Sequence, residues 1–273
     1  MNLLQSLLYG IISGFSEFLP ISSRGHQIFL KKLFGTSASE PIRDLMIHIA
    51  LLLAVIMCCG TYIVRIRREM KTSRVRRSRR GDKRVLYDFR LIRTAVYPML
   101  ALLLLHNFVS GLSDNLALLA LFWGINGVIL YIPDHLPNGN KDGSKMSTLD
   151  SILLGITCGL SVIPGFSRIG AGISLTTARG AEKMKAYDWI LLISIPALIF
   201  WIIIDLFALI STGFGAINFL VFLGYFISSV SAFAAAVAGI YLMRFMTVRA
   251  SLSPFGLYCW GAALLSFILY LIT

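Results

Sequence analysis

The chain has 273 residues, 57% of them hydrophobic and 14% charged, with a formal net charge of +12 and a mean hydropathy of +0.79. That is too little polar surface to cover a soluble globule of this length, so soluble folds are excluded and an all-α, multi-pass membrane protein is expected.

The first element is an apolar run from Leu3 to Leu19, stopped by Pro20. It lacks a basic leader and carries Glu17, so it reads as a retained segment and not a cleaved signal peptide. At under about 20 residues it is short for a crossing and reads as a half-helix that enters the membrane and turns back. Spans are predicted at Leu45 to Val64, Ala95 to Leu112 and Leu116 to Ile132. A second short run, Ser151 to Ile163, ends at Pro164 and is read like the first. Three more spans follow, at Trp189 to Ile210, Phe219 to Met243 and Phe255 to Ile272. Cys58, Cys59, Cys158 and Cys259 lack metal-ligand spacing and read as packed thiols.

The charge is concentrated. Between Arg65 and Arg93 stand thirteen Lys and Arg against Glu69, Asp82 and Asp88, a net +10. The tract from Arg74 to Arg80 lies between two spans, so it reads as a cytoplasmic loop against anionic lipid headgroups and not as a nucleic-acid site. Holding that loop inside puts both termini outside, and Lys141, Lys145, Lys183, Lys185, Arg244 and Arg249 then fall inside. The expected outer loops, Gly111 to Asn115 and Ser211 to Ile217, carry no basic residue. Three spans separate the two half-helices, so they enter from opposite sides. The whole chain reads as one membrane domain made of six transmembrane helices and two re-entrant pairs in an inverted-topology repeat, residues 1–133 and 147–273.

The half-helices share a motif. Gly10 to His26 reads GIISGFSEFLPISSRGH, and Gly155 to Gly170 reads GITCGLSVIPGFSRIG. With one gap before the proline they align at Gly10/Gly155, Gly14/Gly159, Ser16/Ser161, Pro20/Pro164, Ser23/Ser167 and Arg24/Arg168. Glu17 is an acid inside an apolar segment, which costs roughly 2.5–3.5 kcal/mol and calls for either a local cap or a wetted functional cavity. After Pro20, either Ser22 or Ser23 can cap the next helix, whose N-terminus, with Arg24, Gly25 and His26, suits phosphate. In the second copy Gly165, Ser167 and Arg168 repeat the arrangement, and Gly170 and Gly172 allow close backbone approach. Arg168 can bridge to Glu17, hold phosphate, or do both. His48 reads as interfacial, and His106, His135 and Asp205 as solvated span ends.

Glu17-Phe18-Leu19-Pro20-Ile21-Ser22-Ser23 with Gly25-His26, followed by Pro164-Gly165-Phe166-Ser167-Arg168, resembles the undecaprenyl-diphosphate phosphatase family, also called the bacitracin-resistance protein family. The resemblance covers essentially the whole chain. It implies removal of one phosphate from undecaprenyl diphosphate at the outer face of the bacterial inner membrane, which recycles the cell-wall lipid carrier. Carried over by position, Glu17, Ser22, Ser23 and His26 match the first motif, and Ser167 and Arg168 the second. Three departures stand out: Ser13 replaces a usual acid or amide, Ile169 and Gly172 replace a serine and a threonine, and Arg24 replaces a small residue.

On this reading Arg168, Arg24 and the helix-start N–H groups hold the diphosphate, and Ser22, Ser167, Gly25, Gly165 and Gly170 shape the binding site. Glu17, Ser23, His26 and Arg168 are the catalytic candidates, with His26 or a serine as nucleophile. Glu17 is also the candidate ligand for a divalent cation, Mg or Ca, weakened by Ser13. The expected partners are the polyprenyl diphosphate and membrane lipids, with no nucleic acid; a homodimer is allowed. The alternative is a polyprenyl-phosphate transporter with weak or no phosphatase activity, since inverted repeats with broken helices are a transporter pattern.

Overall fold

The computed structural model describes residues 1–36, 40–75, 83–111, 115–137, 139–213, 218–249 and 251–272. Eleven α-helices form among them: α1 Leu3–Phe18, α2 Ser23–Leu33, α3 Pro41–Val75, α4 Lys83–Leu103, α5 His106–Ser110, α6 Leu116–Tyr131, α7 Thr148–Gly159, α8 Arg168–Ala178, α9 Lys183–Thr212, α10 Phe219–Arg249 and α11 Ser253–Ile272. No strand forms among the described residues, only an isolated bridge between Lys141 and Ala181. The protein is all-helical and multi-pass. Five helical stretches are long and apolar enough to cross a membrane: Pro41–Arg68, Leu116–Asp134, Lys183–Thr212, Phe219–Thr247 and Ser253–Ile272.

The helix ends follow local chemistry. Asn2 and Gln5 form a reciprocal capping box on α1, Gln5 N donating to Asn2 Oδ1 at 2.8 Å and Asn2 N to Gln5 Oε1 at 2.9 Å. The helix stops at Phe18 because Leu19, preceding Pro20, is extended. Helix α7 repeats the pattern: Ser147 and Asp150 form its capping box, and after a 3₁₀ turn at Leu160–Val162, Ile163 is extended ahead of Pro164.

Two expectations change. The segment expected to cross as Ala95 to Leu112 belongs to a helix that starts at Lys83, ends at Leu103, and resumes as short α5. Leu105 N turns back to Leu102 O at 3.0 Å, a tightened last turn that breaks the helix there. The basic stretch 65–93, expected as a loop, is helical at both ends, since Lys and Arg are good helix formers and carry α3 out to Val75. Residues 76–82 between, and 112–114 and 214–217 of the expected outer loops, lie outside the described residues.

The glycines shared by the two motifs do the same work in each. Helix α1 packs along α10, and α7 along α4. A Cβ on Gly10 would stand 2.2 Å from Ser228 O, and one on Gly14 2.3 Å from Ala232 O. On α7, a Cβ on Gly155 would stand 2.1 Å from Ala95 O, and one on Gly159 2.8 Å from Leu102 Cβ. Lipid tails are as apolar as side chains, so helices in a membrane associate by close packing and by hydrogen bonds; small residues permit both. Ser228 Oγ donates to Ser6 O at 2.8 Å across the first contact, and Ser266 Oγ donates to Leu116 O at 3.0 Å between α11 and α6.

Gly14→Ala and Gly155→Ala should each destabilise the protein by about 1–3 kcal/mol, the cost of overpacking. Gly60, with nothing within 4 Å of an added Cβ, is the control. Gly60→Ala should be neutral or stabilising by up to about 1 kcal/mol, from helix propensity alone. Thermal unfolding of the purified protein in detergent checks all three.

Candidate active site

The two proline turns meet back to back. Gly165 N donates to Ser22 Oγ at 3.0 Å, and Arg24 Nη1 donates to Val162 O at 3.2 Å. Helix α6 ties both turns from one side: Trp123 Nε1 donates to Ile21 O at 2.9 Å, and Asn126 Nδ2 to Pro20 O at 3.0 Å. Asn126 Oδ1 in turn accepts from Ser167 N at 3.0 Å. A fully buried amide in an apolar helix needs its hydrogen bonds, and here it spends them joining the two motifs.

Each turn delivers a capped helix. Ser22 caps α2 by accepting from Gly25 N, and Ser167 caps α8 by accepting from Gly170 N. Ser23 and Arg168 are therefore the first residues of their helices, and both reach Glu17. Ser23 Oγ donates to Glu17 Oε2 at 2.5 Å, and Arg168 Nη2 donates to Glu17 Oε1. Arg168 is 7% exposed, and its Nε and Nη1 are buried with no hydrogen-bond partner among the described residues. A guanidinium with two buried, unspent donor nitrogens is prepared for an anion.

These groups open on a cavity of about 410 Å³. Of the sequence-derived candidates, Glu17, Ser22, Ser23, Arg24, Ser167 and Arg168 line it. His26, Gly25, Gly165 and Gly170 are not among its lining residues. With about 100° per residue along α2, Ser23, Arg24, Gln27, Ile28 and Lys31 share the cavity face, and His26 falls about 130° from its middle. The His26 ring instead lies edge-on to Trp123 at 5.0 Å. Its Nδ1 is 2.7 Å from Ser22 O and its Nε2 2.7 Å from Tyr258 Oη.

The three glycines are contact residues. A Cβ on Gly25 would meet Trp123 at 3.0 Å, one on Gly170 would meet Leu130 at 2.9 Å, and Gly165 sits at φ +99° against Phe122. Of the departures, Ile169 is fully buried, and a Cβ on Gly172 would stand 2.7 Å from Ile190 Cδ1. Ser13, also fully buried, accepts from Gln27 Nε2 at 3.4 Å.

Three cavity residues, His48, His106 and Asp205, were read from sequence as interfacial or solvated. His48 Nδ1 lies 2.5 Å from Asp205 Oδ2, Lys31 Nζ lies 3.3 Å from Asp44 Oδ2, and His106 joins the lining. Arg24 holds its guanidinium over the Trp201 ring, 4.2 Å from the centroid. The rule that an ionisable residue in a membrane helix marks a polar pathway, applied to Asp205 as it was to Glu17, would have found them.

The sequence profile of the bacitracin resistance protein BacA family matches residues 6–265. The chain is similar to a protein named undecaprenyl-diphosphatase from Carboxydothermus hydrogenoformans, 28% identical over 265 residues, covering 95% of this chain and 94% of the relative. It is likewise similar to proteins of that name from Halothermothrix orenii, 26% identical with 98% of each chain covered, and Methanobrevibacter smithii, 27% identical with 98% and 97% covered. With the match running over nearly its whole length, the chain belongs to the bacitracin resistance protein BacA family.

Proposed function

We propose that the chain is an undecaprenyl-diphosphatase, which hydrolyses undecaprenyl diphosphate to undecaprenyl phosphate and so recycles the lipid carrier of cell-wall synthesis. The observation that carries this reading is the convergence on Glu17 of a serine hydroxyl and an arginine with two unspent buried donors. Family membership supports the same reaction.

Arg168 Nε and Nη1, with the N-terminal ends of α2 and α8, bind the terminal phosphoryl oxygens. Ser23 Oγ attacks that phosphorus while Glu17 Oε2 takes its proton. The bond from phosphorus to the bridging oxygen breaks, and undecaprenyl phosphate leaves with the electron pair and the proton from Glu17. A water then gives its proton to Glu17 and attacks the phosphoserine; Ser23 leaves, regains that proton, and free phosphate is released. Arg24, over Trp201, is assigned to the inner phosphate. His26 has both ring nitrogens engaged away from the cavity, which favours a positioning role on α2.

The residues around Glu17 do not by themselves fit a resident divalent cation. Both carboxylate oxygens are engaged, one by a guanidinium, and the described residues hold no cluster of three His, Cys, Asp or Glu that could bind a metal. No step is derived through Mg or Ca; an ion arriving with the substrate would draw its remaining ligands from the phosphate oxygens. A transporter needs to bind a lipid phosphate but has no use for a hydroxyl hydrogen-bonded to a carboxylate, so the Ser23–Glu17 contact favours hydrolysis.

For the finer architecture we propose an inverted repeat of residues 1–133 and 147–273, with α4 and α5 together making the sixth crossing and both termini outside. The equal roles of Gly10 with Gly155 and Gly14 with Gly159 support it, as does the pairing of α1 on α10 with α7 on α4.

Ser23→Ala should lower phosphate release from a prenyl diphosphate by about 10²–10⁴-fold while leaving the fold intact. His26→Gln should keep activity within about tenfold and lose thermal stability instead, its hydrogen bonds being structural. A His26→Gln variant as inactive as Ser23→Ala, with an unchanged unfolding temperature, would return His26 to the reaction.

Arg168→Ala should abolish release and also destabilise by about 3–5 kcal/mol, because Glu17 is left buried without its partner. Adding Glu17→Gln should recover stability but not activity, as unfolding and phosphate-release measurements on the same preparations will report.

A cysteine placed at Gly213 should be labelled by an impermeant thiol reagent in intact cells, and one at Ser144 only after permeabilisation. The reverse pattern would invert the proposed orientation.

A further inference from the structure

The cavity carries three basic groups, Arg24, Lys31 and Arg168, and three carboxylates, Glu17, Asp44 and Asp205. With neutral imidazoles the formal charge of these groups sums to zero. Three contacts account for the carboxylates: Glu17 with Arg168, Asp44 with Lys31, and Asp205 with His48. A diphosphate ester brings more than one negative charge into this balance. Among helices embedded in a membrane, bulk counter-ions screen that charge poorly, so a cation must be taken up with it. A proton on an imidazole is the cation this lining can supply near neutral pH.

Two histidines line the cavity, and their surroundings differ. His106 rests edge-on to Phe200 and Trp201, each at 5.9 Å, and its Nδ1 is buried with no partner among the described residues. An imidazolium there would lack a carboxylate. His48 on α3 has Asp205 of α9 at 2.5 Å from Nδ1, and its ring stacks at 6.4 Å on Trp201, the residue that carries Arg24. Among the described residues no hydrogen bond to His48 Nε2 is formed, so protonation adds a donor without breaking a contact. The other charged groups of the lining are Asp44 on the same helix, Glu17 from α1, Arg24 and Lys31 from α2, and Arg168 from α8.

We propose that His48, held by Asp205, is a substrate-binding residue that takes up a proton from solvent as the lipid diphosphate binds and contacts the inner phosphate as an imidazolium. The proton rests on Nε2 and no bond to phosphorus changes in this step. The proposal rests on the diphosphatase reading above. It gives the Asp205–His48 pair a role in affinity and leaves bond cleavage to Ser23 and Glu17.

The sign of the pH dependence follows. The protonated form binds the anion, so affinity is highest at low pH and falls as pH rises through the titration of His48 in the complex. The test is kcat and KM of the purified full-length protein on a short-chain prenyl diphosphate across the imidazole range. His48→Gln should raise KM about tenfold at the acid end, remove the protein's share of its pH dependence, and leave kcat within about threefold. Asp205→Asn should move the rise in KM to lower pH, because the imidazolium loses its carboxylate. The diphosphate's own ionisation is common to all three proteins, so differences between their curves belong to the side chains.

A KM curve for His48→Gln that superimposes on the wild type, or a fall in kcat with KM unchanged, would overturn the proposal. Should His48→Gln fold poorly, Ser23→Ala protein is titrated with the same diphosphate by calorimetry in two buffers of different ionisation heat. Net proton uptake beyond that of the lipid supports the proposal, and none overturns it. Failure of the wild type to hydrolyse the diphosphate would instead sink the parent reading, and this one with it.

Discussion

Everything in the site depends on giving Glu17 a partner inside the membrane. A carboxylate at this depth is costly unless it is paired and hydrogen-bonded, and α1 alone offers it nothing of opposite charge. The partner comes from residue 168, on α8, 151 positions away. The pair forms only if α1 and α7 both end where the two proline turns meet. The prolines end them, and the small residues of α1 and α7 let each helix lie close against a long neighbour. Trp123 and Asn126 then hold the two turns together from α6.

The two motifs look alike in sequence but are used one residue out of step. Aligning Pro20 with Pro164 pairs Ser23 with Ser167 and Arg24 with Arg168. The caps give a different correspondence: Ser22 does what Ser167 does, and Ser23 stands where Arg168 stands. Without any gap, Gly10/Gly155, Gly14/Gly159, Ser16/Ser161, Ser22/Ser167 and Ser23/Arg168 all align, and only Pro164 falls one place early, so that Gly165-Phe166 makes the second turn one residue longer. In that register the hydroxyl and the guanidinium occupy equivalent positions at the starts of facing helices, and each reaches the same carboxylate. Arg24 then has no counterpart but Ile169, and its guanidinium goes to Trp201 instead.

Most of this was legible where the chemistry is local. The ends of α1 and α7 follow from Pro20 and Pro164, the membrane class from composition, and the Glu17–Arg168 contact from the scarcity of charges in apolar runs. What was not legible depends on azimuth and on distant pairing. His26 is three residues from Ser23, and sequence proximity brings it near the site, but rotation along α2 turns it to the opposite face. His48 and Asp205 are 157 residues apart, and each taken singly reads as a span end. The helix bounds expected at Ala95 to Leu112 shifted for another reason: hydropathy does not register a tightened turn at Leu105, nor helix carried into a basic segment.

Ser22 shows what holding this geometry requires. It is the one described non-glycine residue with positive φ, at +70°, a conformation that costs about 1–3 kcal/mol and persists only where surroundings over-determine it. Its Oγ accepts from Gly25 N at 3.3 Å and Gly165 N at 3.0 Å, and its carbonyl oxygen lies 2.7 Å from His26 Nδ1. Glycine at this position would relieve the backbone but lose both contacts to the hydroxyl, one of which is the link to the second turn. His26, anchored at its far nitrogen by Tyr258, clamps the carbonyl of the strained residue just before Ser23. The histidine shared with the family motif thus bears on Ser23 through the backbone: it holds the turn from which the Ser23 hydroxyl reaches Glu17.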